Sequence, residues 1–150
     1  MSHTFSSLFT HFVFSTKERA TFLDPELRPR LFSYLGGIAR EQNATLVSAN
    51  GAADHIHLLA LLHPTIAPAD FVRTLKAGSS RWIHETFSDL AGFAWQTGYG
   101  AFSVSKSNVE TVVAYIRGQE EHHRKMTFKE ELLALLRKHD LDYDERYLWD

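Results

Sequence analysis

Residues 54–62 read Asp54-His55-Ile56-His57-Leu58-Leu59-Ala60-Leu61-Leu62. Beyond the aspartate and the two histidines, every residue in the run is apolar. A short apolar run of this kind fits a strand buried on both faces, and therefore a central strand of a sheet. The period of two places His55 and His57 on one face, with Ile56 and Leu58 on the other. The two histidine Cα atoms then lie ~7 Å apart, close enough for both rings to bind one metal ion. Spacing alone leaves a second reading open, in which both are core or edge histidines satisfied by hydrogen bonds. Asp54 reads as a carboxylate that steadies one of the rings or as a strand-end residue, and spacing favours the latter.

Working outward, Leu8-Phe9-Thr10-His11-Phe12-Val13-Phe14 is rich in aromatic and β-branched residues and reads as a first strand. Asp24-Pro25 signals a helix start, and Leu27, Leu31, Leu35 and Ile38 recur at helical spacing. Pro29 and the pair Gly36-Gly37 weaken that helix. Residues 44–49 form a short second strand, and Asn50-Gly51 is a turn signal. Pro68 opens a helix to about Phe87 with the stripe Phe71, Val72, Leu75, Trp82 and Ile83. Residues 93–104 read as a fourth strand or hairpin. Ser107 with Glu110, and Thr127 with Glu130, are capping-box signatures for two further helices. The last of these carries Leu132, Leu133, Leu135 and Leu136. The order β-α-β-β-α-β-α-α begins with the split βαβ, ferredoxin-like pattern. The expected fold class is α+β, with an antiparallel sheet, helices on one face and an extra C-terminal helix.

The chain has 150 residues, 44% of them hydrophobic, enough for one domain with a real core. It has no cysteine, which excludes disulfides and thiolate metal sites. No apolar run approaches the ~20 residues of a membrane span, and Met1-Ser2-His3-Thr4 lacks the order of a signal peptide. A cytoplasmic protein with no membrane partner is expected. The net charge of −2 argues neither for nor against nucleic acid. The acidity sits in residues 127–150, with 7 acids and 4 bases, whereas residues 1–126 hold 12 bases and 11 acids.

In the helix after Ser107, the apolar stripe is Val109, Val112, Val113 and Ile116. At 100° per residue, Tyr115 lies ~110° from the middle of that stripe and Gln119 ~70° from it on the same side. Four apart, they are surface neighbours with Cβ atoms ~6 Å apart. Gly118 between them costs a helix ~1 kcal/mol, and close approach by a substrate or another backbone would account for it. Periodicity equally fits a half-buried tyrosine beside an exposed glutamine. The chemical reading is sharper. A tyrosine that attacks a phosphodiester needs a cation to neutralise the charge developing on phosphate. Two neutral histidines and the carbonyl oxygen of Gln119 would hold one, and the product would be a covalent phosphotyrosine.

The segment Asp54-His55-Ile56-His57-Leu58 resembles the HUH motif, two histidines around a large hydrophobic residue. Tyr115-Ile116-Arg117-Gly118-Gln119-Glu120-Glu121-His122-His123 resembles the nucleophile helix of the single-tyrosine transposases of bacterial insertion sequences, the insertion-sequence-200-like family. Supporting segments are His11-Phe12-Val13-Phe14-Ser15-Thr16-Lys17, Leu75-Lys76-Ala77-Gly78-Ser79-Ser80-Arg81 and Trp95-Gln96-Thr97-Gly98-Tyr99-Gly100. The resemblance implies a ferredoxin-like nuclease domain over about residues 8–125, followed by a helix and tail at 127–150. It implies Tyr115 as nucleophile, His55, His57 and Gln119 as metal ligands, and Mg²⁺ or Mn²⁺ as the ion. The implied substrate is single-stranded DNA with hairpins at the element ends. The tyrosine takes the 5′ phosphate and frees a 3′ hydroxyl. The implied assembly is a homodimer, in which the tyrosine helix of one subunit can complete the histidine site of the other. Imidazole ligands suit Zn²⁺ or Mn²⁺ better than Mg²⁺, which prefers oxygen, so Mn²⁺ is expected to bind more tightly and Mg²⁺ to serve by abundance.

Given that resemblance, Arg73, Lys76 and Ser80 are candidate DNA-phosphate contacts, with Lys17, Arg19, Lys106 and Arg117 as further ones. Trp95, Tyr99 and Phe102 suit either stacking on unpaired bases or core packing. His122 and His123 read as exposed residues at a helix end. Tyr143, Tyr147 and Trp149 read as anchors of the tail. Two other readings remain: a metal-dependent nuclease that uses water, and a non-catalytic nucleic-acid-binding ferredoxin-like domain.

Overall fold

The computed structural model describes residues 4–146 and 148. Four strands, β1 (Leu8–Ser15), β2 (Thr45–Gly51), β3 (His55–Leu62) and β4 (Gly100–Val104), form one antiparallel sheet in the order β2-β3-β1-β4. Helix α1 (Leu27–Glu41) links β1 to β2, and α2 (Pro68–Thr86) links β3 to β4. The chain ends in α3 (Val109–Arg117), the short α4 (Gln119–His122) and α5 (Phe128–Lys138). This is the expected α+β, ferredoxin-like order.

The apolar run of β3 lies centrally, as its composition demands. On one face, Ile56, Leu58, Ala60 and Leu62 join Phe12 and Phe14 of β1 under Leu31 and Leu35 of α1 and Phe71, Leu75 and Ile83 of α2. Burying each such side chain contributes ~1.5–3 kcal/mol, which offsets the cost of two glycines within α1. Pro29 lies in the first turn of α1, where a missing N–H costs nothing.

The second face is covered as well. Val13 and Phe102 pack against Phe128, Leu132 and Leu136 of α5, and Leu59 and Val104 against Val109 and Ile116 of α3. The expectation of helices on one face therefore holds for α1 and α2 alone. A sheet whose outward residues include Val13, Leu59, Phe102 and Val104 needs a second cover, and α3, α4 and α5 supply it.

Local signals met different fates. Thr127 and Glu130 form the full capping box of α5. The Ser107–Glu110 box does not form: Ser107 lies within a 3-10 turn, its hydroxyl paired with that of Ser105, and Asn108 precedes α3. Asn50 and Gly51 end β2 rather than turning, and the reversal falls on residues 52–54. Gly51 is required there, because a Cβ would sit 2.3 Å from the His55 carbonyl oxygen. The Asn50 amide instead donates to the carbonyls of Ile116 and Arg117, at 3.0 and 3.1 Å. That contact ties the C-terminal end of the tyrosine helix to the sheet. Of residues 93–104, only Gly100–Val104 is strand; Trp95 makes an isolated bridge to Thr16.

Candidate active site

His55 and His57 are both fully buried and project from β3 toward the α3–α5 layer. Each ring is gripped from behind. The His55 Nδ1 lies 2.7 Å from an Asp54 carboxylate oxygen, and the His57 Nδ1 lies 2.9 Å from Nε2 of His11 on β1. Both Nε2 atoms therefore face the same interior point. This suits metal ligation, in which the nitrogen away from the ion is held by a hydrogen-bond acceptor. With an ion on Nε2, the remaining His57 proton sits on Nδ1 and is donated to His11.

Glu131, on α5 and 1% exposed, fills that interior point. Its Oε1 is 2.8 Å from His57 Nε2, 3.1 Å from His123 Nε2 and 3.4 Å from His55 Nε2. Candidate ligand atoms of His55, His57, His123 and Glu131 all lie within 4.8 Å of one another. Gln119 is fully buried beside them. Its Nε2 donates to Glu131 Oε2 at 3.2 Å, and its Oε1 is 2.9 Å from His123 Nε2 and 3.3 Å from His55 Nε2. The Tyr115 hydroxyl donates to Glu131 Oε2. The Tyr115 ring lies 5.7 Å from that of His57 and 5.2 Å from that of His122. A cavity of about 160 Å³, lined by Tyr115, His11, Lys138 and His139 among others, opens beside the phenol.

The electrostatics suit a cation. Burial lowers His57 to about 4, and burial with the neighbouring His57 lowers His11 to about 3, so both rings are neutral near pH 7. Burial opposes charge on His55, but Asp54 and Glu131 outweigh it and raise its pKa. Burial likewise opposes charge on Glu131, yet bonds to His123, His55 and His57 hold it far below the carboxylate range. Tyr115 is held above the phenol range, first by burial and then by the Glu131 carboxylate. A neutral tyrosine beside an anion is a weak nucleophile, and added positive charge at this point would correct that. Imidazole nitrogens, a carboxylate and an amide oxygen fit a divalent ion in chemistry and spacing.

The structure brings Tyr115, His55, His57 and Gln119 together within one chain. The DNA-contact candidates are dispersed. Arg73, Lys76 and Ser80 belong to α2, on the opposite side of the sheet. Arg73 is exposed and pairs with Asp70 at 2.6 Å. Lys76 Nζ donates to the carbonyls of Gln96 and Gly98 at 2.8 and 2.7 Å and stands 4.9 Å from the Phe14 ring, and its burial lowers its pKa to about 8. Lys17 is exposed and follows Thr16, whose N–H donates to the Asp54 carbonyl. Arg117 is exposed at the end of α3. Trp95 is core, edge-on to Phe14 and Phe93, with its indole N–H on Ser79. Phe102 is buried against His139, whereas Tyr99 is exposed. Tyr143 is exposed, and Tyr147 and Trp149 lie outside the described residues.

Sequence reasoning missed three contributors: His11, His123 and Glu131. His122 and His123 are not free at a helix end but half-buried around Glu131. A signal for Glu131 existed. It stands three residues after Phe128 and four before Leu135, on the phase that packs inward.

Residues 4–119 match the family described as IS200-like transposases. The chain belongs to that family. It is similar to the transposase for insertion sequence element IS200 of Salmonella typhimurium, 30% identical over 129 residues that cover 83% of this chain and 84% of that one. It is also similar to the ISDra2 transposase TnpA of Deinococcus radiodurans, 28% identical over 116 residues, 74% of this chain and 83% of that one. Among solved structures, it resembles a protein described as a candidate transposase from Deinococcus radiodurans, with a TM-score of 0.66 and 28% identity, over 79% of this chain and 95% of that one. It shares its fold with a REP-associated tyrosine transposase bound to a REP hairpin, with a TM-score of 0.61 and 13% identity, over 82% and 72% of the two chains. As IS200-like transposases do, this chain belongs to DNA transposition. Among the described residues, no helix is long and apolar enough to cross a membrane.

Proposed function

We propose that the chain cleaves and rejoins single-stranded DNA with Tyr115 as nucleophile, as one catalytic domain made of a nuclease part over about residues 8–125 and a helix and tail at 127–150. The carrying observation is that one chain gathers the Tyr115 hydroxyl, His55, His57 and Gln119 around one buried point. The Tyr115 oxygen forms the bond to phosphorus as the bond from phosphorus to the 3′ oxygen breaks. The 5′ phosphate is left on tyrosine, and the 3′ oxygen leaves as a hydroxyl. The phosphotyrosine keeps the energy of the phosphodiester, so a second 3′ hydroxyl can reverse the step without ATP. His55, His57 and Gln119 would hold Mg²⁺ or Mn²⁺, which supplies charge neutralisation for the phosphate. Glu131 touches the phenol proton that must leave.

The substrate we propose is single-stranded DNA with hairpin ends, a reading favoured by the hairpin bound to the REP-associated relative. Lys17 and Arg117 are the proposed contacts for the strand near the site. Arg73, Lys76 and Ser80 are left to contacts on the opposite side of the sheet. The working unit is proposed as a cytoplasmic homodimer, and the proximity of Tyr115 to the histidines of its own chain favours a site built within each subunit.

The test incubates purified protein and Mg²⁺ or Mn²⁺ with labelled hairpin oligonucleotides taken from DNA flanking its gene. A labelled band at protein mass that disappears in Tyr115→Phe is expected. Free cleaved DNA that persists in that variant would instead indicate a water-using nuclease. Binding with no cleavage under any condition would indicate a binding domain.

A further inference from the structure

The family match ends at residue 119, yet the buried site continues past it. Two of its four clustered donors, His123 and Glu131, come from the turn after α4 and from α5. A carboxylate buried to 1% exposure costs several kcal/mol unless it is paired. Here α5, whose Phe128, Leu132 and Leu136 pack on the sheet, delivers that carboxylate onto three imidazole nitrogens. A tetrahedral ion with bonds of ~2.1 Å spaces its ligands ~3.4 Å apart. Glu131 Oε1 stands 2.8, 3.1 and 3.4 Å from the three Nε2 atoms, and the ligand atoms of all four residues lie within 4.8 Å of one another, so shifts of under ~1.5 Å would seat one ion among them. Asp54 and His11 already fix His55 and His57 from behind.

We propose that His123 and Glu131 join His55 and His57 as ligands, so that before any DNA is bound the chain holds Zn²⁺ or Mn²⁺ through three imidazoles and one carboxylate, with Gln119 bonded to His123 and Glu131 and not among the ligands in that state. Three nitrogen donors disfavour Mg²⁺, which seeks oxygen and keeps its waters. Zinc sites expand to five ligands, which leaves a position for a phosphate oxygen. The inference rests on the metal-dependent reading above and revises its ligand set for the DNA-free chain.

The experiment is calorimetric titration of metal-free protein, without DNA, by Zn²⁺, Mn²⁺ and Mg²⁺. Wild type is compared with Glu131→Gln and His123→Ala. One Zn²⁺ or Mn²⁺ per chain is expected, with Mg²⁺ at least ~10-fold weaker and each substitution weakening Mn²⁺ at least ~10-fold. Wild-type affinity in either variant, or Mg²⁺ bound as tightly as Mn²⁺, overturns the proposal. Should a variant fail to fold, Co²⁺ added to wild type decides. Strong visible absorption marks the expected four-coordinate site, and the weak bands of six-coordinate cobalt overturn it. The two readings fail separately. Ion binding as described with no tyrosine adduct sinks strand transfer alone, whereas a normal adduct in Glu131→Gln with unchanged ion affinity sinks this ligand set alone.

Discussion

The Tyr115 hydroxyl donates to the Glu131 carboxylate, joining α3 to α5 across the face of the sheet that carries the histidines. The same carboxylate reaches His57 at 2.8 Å and Gln119 at 3.2 Å. One buried anion thus joins the proposed nucleophile to the groups proposed to hold a cation.

Removing that anion should loosen the fold itself. Glu131→Leu strips the acceptor from Tyr115, His57 and His123 at once, and loss of one partner from a buried network costs ~3 kcal/mol. Urea unfolding of the metal-free variant should show a drop of that size. A variant as stable as wild type would mean that the network is replaceable by apolar packing.

His11, 2.9 Å from the His57 Nδ1, would act as a positioning residue through His57. His11→Ala should weaken Mn²⁺ binding ~10- to 100-fold, the usual effect of losing the group behind a ligating histidine. His11→Gln, which keeps a polar atom near the Nε2 position, should recover part of the loss. Equal affinities in all three proteins, measured by calorimetry, would leave His11 as packing.

Gly51 sets where β3 begins. Gly51→Ala puts a methyl 2.3 Å from the His55 carbonyl oxygen, so backbone must move. A loss of ~1–3 kcal/mol is expected in chemical denaturation, as for other overpacked sites. Because the strain falls on His55, Mn²⁺ affinity should fall as well. Unchanged stability would show that the residue 52–54 turn can relax.

The metal-free protein should lose stability in mild acid. His57 and His11 have folded pKa values lowered to about 4 and about 3 from 6.5, so the unfolded chain binds their protons first. Their contribution is present above pH ~6.5 and is lost as pH falls toward 4 and then 3. Glu131, also lowered, acts in the same direction, while the raised His55 opposes them. Thermal melts in chelator at pH 7 and pH 5 should give a lower Tm at pH 5. An equal or higher Tm at pH 5 would contradict two neutral buried histidines.

The sequence by itself determined the strand at 55–62, the common face of His55 and His57, the helical stripes of α1, α2, α3 and α5, and the neighbourhood of Tyr115 and Gln119. These are properties of period, set by backbone geometry within a few residues. Tertiary structure decided the rest. Whether Asn50-Gly51 turned or stayed in β2 depended on what α3 offered Asn50. Whether His122 and His123 were exposed depended on α5, which returns over the sheet because Val13 and Phe102 need cover. Glu131 meets His57 from 74 residues away, a distance in sequence that no local pattern spans. Its role arises because the apolar stripe of α5 packs on Val13 and Phe102, which brings Glu131 onto the histidine face of the sheet.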